Sequence, residues 1–393
     1  MAIMTSTASL RLPTRAGEIE TYQPRPGADY GTGFSEPRTR VAFAACHVVP
    51  DAMADIDPTL DLALDWDATM AYRRHLWSLG LGVAEAMDTA QRGMGLDWAT
   101  SKELIRRSVE EAKAVGGRLA SGAGTDHLAP SPDLTIDDVI AAYEEQCGYV
   151  EGVGGRIILM ASRALAACAS GPDDYAAVYD RILSQVKEPV IIHWLGDMFD
   201  PALAGYWGND DLDIAMDTAV DVITRNAAKV DGVKVSLLDD QREIDMRRRL
   251  PEGVRMYTGD DFNYPTLIKG DEHGYSDALL GIFDAIAPVA GAAFAALDAG
   301  DIDRYDELFG PTVPLSRHIF KAPTRFYKTG VVFLAWLNGH QDHFRMVNGQ
   351  ESCRSVVHLA ELYRLADEAS LFTDTEQVTA RMRAFLEVAG VPQ

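Results

Sequence analysis

The sequence predicts an α/β protein built as a (β/α)8 TIM barrel with a C-terminal helical extension. Short apolar segments alternate with amphipathic helical segments from residue 40 onward, which indicates a parallel sheet with helices on its outer face. Eight such apolar segments fall within about 240 residues, and this number suits a closed barrel better than an open sheet. No G-x-G-x-x-G follows the first segment, so the open dinucleotide-binding arrangement has no support.

Each element has its own signal. Strands are predicted where apolar and β-branched residues form short runs, and helices where apolar residues recur three and four positions apart. The predicted strands are 40–46, 82–87, 118–122, 156–161, 189–194, 230–236, 254–258 and 276–282. The predicted helices between them are 65–79, 97–114, 136–150, 173–186, 211–229, 241–249 and 264–269. Pro172 opens the fourth helix, and Thr100 and Glu103 have the spacing of a capping box in the second.

Two regions lie outside the predicted barrel, which is assigned to residues 40–285. Residues 1–39 are rich in Pro, Gly, Thr and Arg and lack periodicity, so they are expected to form an N-terminal extension that drapes over the body or over an oligomer partner. Residues 286–393 are assigned to a C-terminal helical region, with two or three helices over 288–339 and further helices over 351–388. Both additions suggest contacts between copies of the chain.

Composition narrows the class of protein. The 393 residues carry a formal net charge of −23, which argues against nucleic acid or an anionic membrane as the main partner. The four cysteines are far apart and form no CxxC, as is typical of a reducing compartment. The sequence shows no signal-peptide pattern and no apolar run of about 18 residues. A soluble, cytoplasmic protein is therefore expected.

Lys234 is the most informative single residue, because it lies in the middle of the apolar run 230–236. If this run is a strand, Val233 and Val235 face one side and Lys234 faces the other. A lysine in a strand covered on both faces is rarely buried without a partner or a purpose. Burial lowers the pKa of the amine, and a neutral amine can attack a carbonyl to form a Schiff base. The alternative is a lysine at a strand end whose ammonium reaches water.

Other candidates follow from the position of active sites in such barrels, which lie at the C-terminal ends of the strands. The residues just after each predicted strand are His47, Asp88, Thr89, Gly122, Gly124, Ser162, Arg163, His193 and 258–261. His193 ends an apolar run, where either a hydrogen-bonded core histidine or a functional one would fit. Asp260 and Asp261 follow strand seven, and a helix cap accounts for at least one of them.

Several segments, in this order, resemble motifs of one superfamily. They are Gly82 to Thr89 with Leu96-Asp97, Ala120-Ser121-Gly122-Ala123-Gly124, Pro189 to His193, and Arg325-Phe326-Tyr327-Lys328. The most specific pair is Val230-Asp231-Gly232-Val233-Lys234 with Tyr257-Thr258-Gly259-Asp260-Asp261. On these motifs the chain resembles the dihydrodipicolinate synthase and N-acetylneuraminate lyase superfamily of Schiff-base aldolases. It most resembles an uncharacterised branch of that superfamily, a domain of unknown function labelled dihydrodipicolinate-synthase-like.

The resemblance implies roles for individual residues. Lys234 occupies the Schiff-base position. Thr89 falls on the first of two threonines that hold the substrate carboxylate, and Ala90 replaces the second. Asp260 and Asp261, next to Gly259, fall where some members contact hydroxyls of a sugar-acid tail.

The chain also departs from the family pattern. His193 stands in place of the proton-relaying tyrosine, and imidazole can pass protons near neutral pH. Met198, in a longer insertion over 195–210, falls near the arginine that holds the distal carboxylate in dihydrodipicolinate synthase. Strand four ends in Ser162-Arg163, where the family often has tyrosines, so Arg163 is a candidate for substrate contact. Dihydrodipicolinate synthase activity itself is therefore not expected.

The leading hypothesis is a lyase, either an aldolase or a dehydratase, that acts on a 2-keto acid, with a sugar-derived one favoured. Lys234 forms the imine, Thr89 and backbone N–H groups hold the carboxylate, and His193 moves the proton. No metal or organic cofactor is required, and the resemblance implies a homo-oligomer. One alternative is a divalent-metal-dependent barrel lyase or isomerase that uses His47, Glu85, His193 and Asp260. Glu85 has a second interpretation as the ion-pair partner of Lys234. The other alternative is a non-catalytic barrel that binds a small acid.

Overall fold

Eight parallel strands close into a barrel, and the predicted (β/α)8 fold is confirmed. The structure, a computed structural model, describes residues 9–393. Its strands are β1 (Leu10–Pro13), β2 (Ile19–Tyr22), β3 (Ala42–Ala45), β4 (Gly82–Glu85), β5 (Leu119–Ala123), β6 (Ile157–Leu159), β7 (Val190–Leu195), β8 (Val230–Ser236), β9 (Arg255–Thr258) and β10 (Asp277–Leu280). Strands β3 to β10 pair in chain order, and β10 closes the barrel by pairing with β3.

Helices follow the barrel strands and then fill the C-terminal region. They are α1 (Trp66–Ser78), α2 (Trp98–Val115), α3 (Ile136–Gly152), α4 (Arg163–Cys168), α5 (Pro172–Gln185), α6 (Leu212–Arg225), α7 (Asp240–Arg249), α8 (Tyr264–Lys269), α9 (Ile282–Ala285), α10 (Ala287–Ala299), α11 (Ile302–Phe309), α12 (Thr312–Ile319), α13 (Tyr327–Leu337), α14 (Val356–Glu368) and α15 (Thr375–Val388). Among these described helices, none has the length and apolarity needed to cross a membrane.

Two details of the helix prediction are wrong. The second helix begins earlier than a capping box at Thr100 requires, because Asp97 is its N-cap and accepts the backbone N–H of Thr100. Residues 288–339 hold four helices, α10 to α13, where two or three were predicted. Gly300 ends α10 in the left-handed conformation, and prolines 311 and 323 separate the helices that follow.

The barrel strands are buried on both faces. Inward-facing side chains such as Phe43, Ile158, Ile191, Tyr257 and Leu279 form a small core inside the barrel. The residues between them in sequence pack outward against the helices in two larger apolar clusters. This arrangement explains why the strands read as continuous apolar runs in the sequence.

The N-terminal extension packs on the chain's own C-terminal helices. Strands β1 and β2 pair antiparallel, and Leu10 and Leu12 are fully buried in the cluster that includes α14 and α15. The Tyr22 hydroxyl donates to Asp367 Oδ2 at 2.6 Å, and the same carboxylate accepts the backbone N–H of Arg25. The first eight residues of the predicted extension lie outside the described residues. The division between barrel and C-terminal region at residue 285 stays a prediction.

Candidate active site

Lys234 points into the barrel near the C-terminal end of β8. In the strand register it lies between His193 of β7 and Tyr257 of β9, and Tyr257 belongs to the core inside the barrel. Val233 and Val235 pack on the opposite side, in the cluster beneath the helices. The alternation predicted for this strand is therefore present. Only 7% of the Lys234 surface is exposed, so its ammonium does not extend into bulk water.

The Lys234 amine has no close partner. Within the described part of the chain it makes no hydrogen bond and no ion pair within 4.0 Å, although Asp261 and Asp88 lie near enough to act on it electrostatically. Burial lowers the pKa of the Lys234 amine to about 8, and the two carboxylates only partly offset this effect. An appreciable fraction of the amine is therefore neutral near physiological pH, as a nucleophile requires.

Gly259 makes room for this lysine. Its backbone N–H donates to the Val235 carbonyl at 2.9 Å, which holds the turn after β9 against β8. A Cβ atom at position 259 would lie 2.5 Å from the Val235 oxygen and 3.0 Å from Cε of Lys234, and closer still to Oγ of Ser236. The structure thus gives Gly259 a packing role, and its contact with a substrate stays a prediction.

We expect Gly259→Ala to destabilise the protein by roughly 1–3 kcal/mol, because the new methyl group overpacks a site bounded by backbone. The same change should slow any reaction of the displaced Lys234 amine. Urea denaturation and the rate of covalent labelling at Lys234 measure the two effects. Gly148→Ala is the matched control, since no atom of the described residues lies within 4 Å of its added Cβ on helix α3. Equal effects of the two substitutions would contradict the packing role.

The two carboxylates after β9 have different surroundings. Asp260 accepts the backbone N–H groups of Phe262 and Asn263 at 2.7 and 3.1 Å on Oδ1, and the Asn263 amide on Oδ2. Both of its oxygens therefore hold the turn before α8. The predicted aspartate cap of this helix is wrong, because the N-cap is Asn263 and the helix has no side-chain capping bond. Among residues 9–393, Asp261 accepts only the Ile282 N–H, at 2.9 Å on Oδ1. Burial raises the pKa of Asp261 to about 7, against the lowering effects of that hydrogen bond and of Lys234.

Thr89 meets a residue from the C-terminal region. Its hydroxyl lies 2.7 Å from the hydroxyl of Tyr327, the first residue of α13. Next to it, Nζ of the fully buried Lys328 lies 3.0 Å from Oδ2 of Asp88. The sequence motif 325–328 contained both residues, but sequence reasoning gave neither of them a role. No local spacing reveals the contact, because 238 residues separate Thr89 from Tyr327.

His193 is buried as a neutral imidazole. Its Nε2 lies 3.2 Å from Oγ of Ser236 on the neighbouring strand. Burial lowers the pKa of His193 well below its usual value, and the nearby Lys234 lowers it further. At neutral pH this imidazole can make hydrogen bonds, but it holds a second proton only at a high free-energy cost.

A cleft with about 630 Å³ of empty space, part of it open to solvent, lies at the C-terminal side of the barrel between β5, β6 and β7. Polar groups on its wall come mainly from Asp88, Arg92, Asp126, Arg163, His193 and Asp200. The two arginines are each paired with an aspartate, Arg92 with Asp126 and Arg163 with Asp200. Lys234 is not part of the wall, but its register partner His193 is. A substrate that reacts with Lys234 would therefore extend past His193 into the barrel.

The residues of the metal alternative are occupied by other partners. Glu85 forms a two-pronged ion pair with Arg73, so the interpretation of Glu85 as the partner of Lys234 is wrong. Nδ1 of His47 lies 2.8 Å from Asp284, and Asp260 holds its own turn. Within residues 9–393, no three His, Cys, Asp or Glu side chains are grouped so that they could hold a metal ion.

Comparison with known proteins places the chain in a family. The family model described as a protein of unknown function, DUF993, matches residues 10–391. The chain belongs to the DUF993 family. No protein with a curated description matches this DUF993 chain.

Solved structures share the fold of this DUF993 chain. A dihydrodipicolinate synthase from Thermotoga maritima is 15% identical, with 85% of this chain and 99% of that one covered and a TM-score of 0.61. A prophage protein of the dihydrodipicolinic acid synthase family from E. coli K12, solved in complex with pyruvate, is 11% identical, with 90% and 99% covered and a TM-score of 0.60. A dihydrodipicolinate synthase from Bacillus anthracis is 15% identical, with 84% and 98% covered and a TM-score of 0.59. At these identities the likeness is one of fold.

Proposed function

We propose that this DUF993 protein is a Schiff-base-forming lyase, an aldolase or a dehydratase, that acts on a 2-keto acid through Lys234. The observation that carries the proposal is the Lys234 amine itself, which is buried inside the barrel near the C-terminal end of β8 without a hydrogen bond or ion pair in the described chain. A buried, unpaired lysine costs stability, and imine chemistry is a reason to retain one. The shared fold of enzymes named dihydrodipicolinate synthase, and of a relative that binds pyruvate, supports the same class.

The neighbouring groups fit the steps of such a reaction. The Lys234 amine would attack the ketone, and the resulting imine would accept the electron pair released by C–C cleavage or by loss of water. The Thr89 hydroxyl would hold the substrate carboxylate, whereas the N–H groups of Ala90 and Gln91 already donate to the Met87 and Asp88 carbonyls. Arg163 and Asp200 on the cleft wall, with the Asp260–Asp261 turn, would contact the hydroxyl groups of a sugar-derived tail.

Trapping with borohydride tests the proposal. We expect reduction in the presence of a reactive 2-keto acid to add one stable mass increment to the peptide that contains Lys234. Lys328 is an internal control for specificity, because it is also buried but is paired with Asp88, and its peptide should stay unmodified. Reduction without keto acid controls for non-specific change. If a broad panel of 2-keto acids, pyruvate included, leaves no adduct at Lys234, the imine mechanism is wrong.

A further inference from the structure

The surroundings of Lys234 contain four other groups that could exchange a proton with a bound imine. Asp88, Asp261 and His193 interact electrostatically with Lys234, and Tyr327 interacts with Asp88 and Asp261. Within the described chain, none of them forms a hydrogen bond or an ion pair with the Lys234 amine. The hydrogen bonds and ion pairs of each group decide which one is free to act.

Three of the four are engaged elsewhere. Asp88 forms its ion pair with Lys328 at 3.0 Å. Tyr327 shares a hydrogen bond with Thr89, and burial, with Asp88 nearby, raises its pKa far above neutrality. His193 is bonded to Ser236, and its pKa is too low for the imidazole to serve as an acid near pH 7. A group that both gives and takes a proton needs a pKa close to the working pH.

Asp261 is anchored through one of its two carboxylate oxygens. The Ile282 N–H anchors Oδ1 at 2.9 Å, and Oδ2 accepts no hydrogen bond from the described residues. Only 4% of the residue is exposed. Asp261 stands two positions after Gly259, and the stem of Lys234 packs directly on that glycine. The free Oδ2 oxygen of Asp261 is therefore part of the turn on which the Lys234 side chain packs. The Asp261 pKa of about 7 suits a carboxyl group that both donates and accepts a proton.

We propose that Asp261 is the catalytic acid and base of the imine chemistry at Lys234, an inference that rests on the proposed function. The neutral amine adds to the ketone, and a proton moves from nitrogen to oxygen to give a carbinolamine. Protonated Asp261 then donates to the carbinolamine hydroxyl, the C–O bond breaks, and water leaves with an iminium ion formed. The Asp261 carboxylate next removes a proton from C3 to give the enamine. In a cleavage it removes the proton of the C4 hydroxyl while the C3–C4 bonding pair moves into the imine.

The test uses pyruvate, whose C3 protons exchange with solvent through the enamine. In D2O, proton NMR should show the methyl signal of pyruvate disappear with the unaltered protein. Asp261→Asn should slow this exchange by about 10²- to 10⁴-fold, the usual contribution of a positioned acid–base group. Borohydride should still trap the imine at Lys234 in this variant after longer incubation. His193→Gln should slow exchange by less than about tenfold, and Asp303→Asn, an exposed substitution on α11, should leave it unchanged.

The pH dependence separates acid–base catalysis from a structural role. Exchange by the unaltered protein should rise with pH through about 7 as the Lys234–Asp261 pair loses its first proton, because the reacting form has a neutral amine and a protonated Asp261. Asp261→Asn should lack this inflection. The charged or titratable groups around Asp261 are Lys234 of β8, Asp88 after β4, Asp260 of the same turn, Tyr264 of α8 and Tyr327 of α13. Because Lys234 and Asp261 titrate as a pair, the second inflection near 8 should shift in the variant. Asp261→Glu keeps the carboxyl group and should retain the inflection near 7.

The outcomes distinguish the two proposals. If pyruvate is trapped at Lys234 and Asp261→Asn exchanges C3 protons at the unaltered rate, Asp261 is not the acid–base group. If the unaltered protein traps the imine but does not exchange the C3 protons of pyruvate, Asp261 is likewise not the acid–base group. If no keto acid is trapped at all, the proposed function fails instead. Should Asp261→Asn fail to fold, the pH profiles of the unaltered protein and of Asp261→Glu decide, and a profile without an inflection near 7 overturns the inference.

Discussion

Lys234→Met should abolish imine trapping and at the same time make the protein more stable. Methionine has a volume close to that of lysine and no charge to bury, so the site can repack without a cavity. Burial moves the pKa of Lys234 from 10.5 to about 8, which corresponds to a stability penalty on the order of 3 kcal/mol below pH 8. Urea denaturation at pH 7, together with mass spectrometry after borohydride reduction, measures both effects.

The pH dependence of this stability has a definite sign. Between about pH 8 and 10.5 the unfolded chain keeps the Lys234 proton while the folded protein has released it, so stability rises with pH in this window. The Lys234→Met variant should lose that rise. Lys328→Met is the contrasting substitution, because it leaves the Asp88 carboxylate without its ion-pair partner and should destabilise the protein. A Lys234→Met protein that is less stable than the unaltered one, or that still forms the adduct, would contradict the assignment.

Arg73→Met should destabilise the protein by roughly 3–5 kcal/mol, because it leaves Glu85 buried without its counter-charge. Both side chains are completely buried, with two nitrogen–oxygen distances of 2.9 Å between them. Arg73 also donates to the His47 carbonyl, and Glu85 accepts the Ser108 hydroxyl, so the pair ties α1 and α2 to β3 and β4. Urea denaturation gives the change in the free energy of unfolding.

A double-mutant cycle tests the pairing itself. Glu85→Leu combined with Arg73→Met should cost clearly less than the sum of the single substitutions, since no unpaired charge remains. Arg74→Met is the matched control on the same helix. Arg74 pairs with Glu111 at the surface, and exposed pairs contribute less than about 1 kcal/mol. Additive single effects, or equal effects of Arg73→Met and Arg74→Met, would show that the Arg73–Glu85 pair does not act as described.

The fold could be predicted from the sequence because each strand and helix leaves a local pattern of apolar residues. Each strand of a parallel barrel is buried on both faces, so it appears as an apolar run, and each run predicted here contains an observed barrel strand or most of it. Lys234 stood out by the same logic, since a charge within such a run is costly wherever the strand is placed. The first residue of a helix was harder to predict from the sequence than a strand. Asp97 and Thr100 have similar N-cap propensities, so the sequence does not distinguish between them. The N-cap is the one whose side chain accepts hydrogen bonds from the first free N–H groups of the helix, and this is Asp97.

The sequence by itself determined the barrel, the placement of Lys234 on β8 opposite Val233 and Val235, and the turn at 259–261 that follows β9. The tertiary structure alone decided what surrounds the lysine. It pairs Glu85 with Arg73, assigns Asp260 to its turn, and leaves one oxygen of Asp261 without a hydrogen bond from the described residues. It also brings Tyr327 and Lys328 to Thr89 and Asp88 from a helix over 230 residues away. The reason is physical. Burial of a strand leaves a periodic signal in the chain, whereas the partner of a buried polar group is set by packing between distant elements, and no local spacing records it.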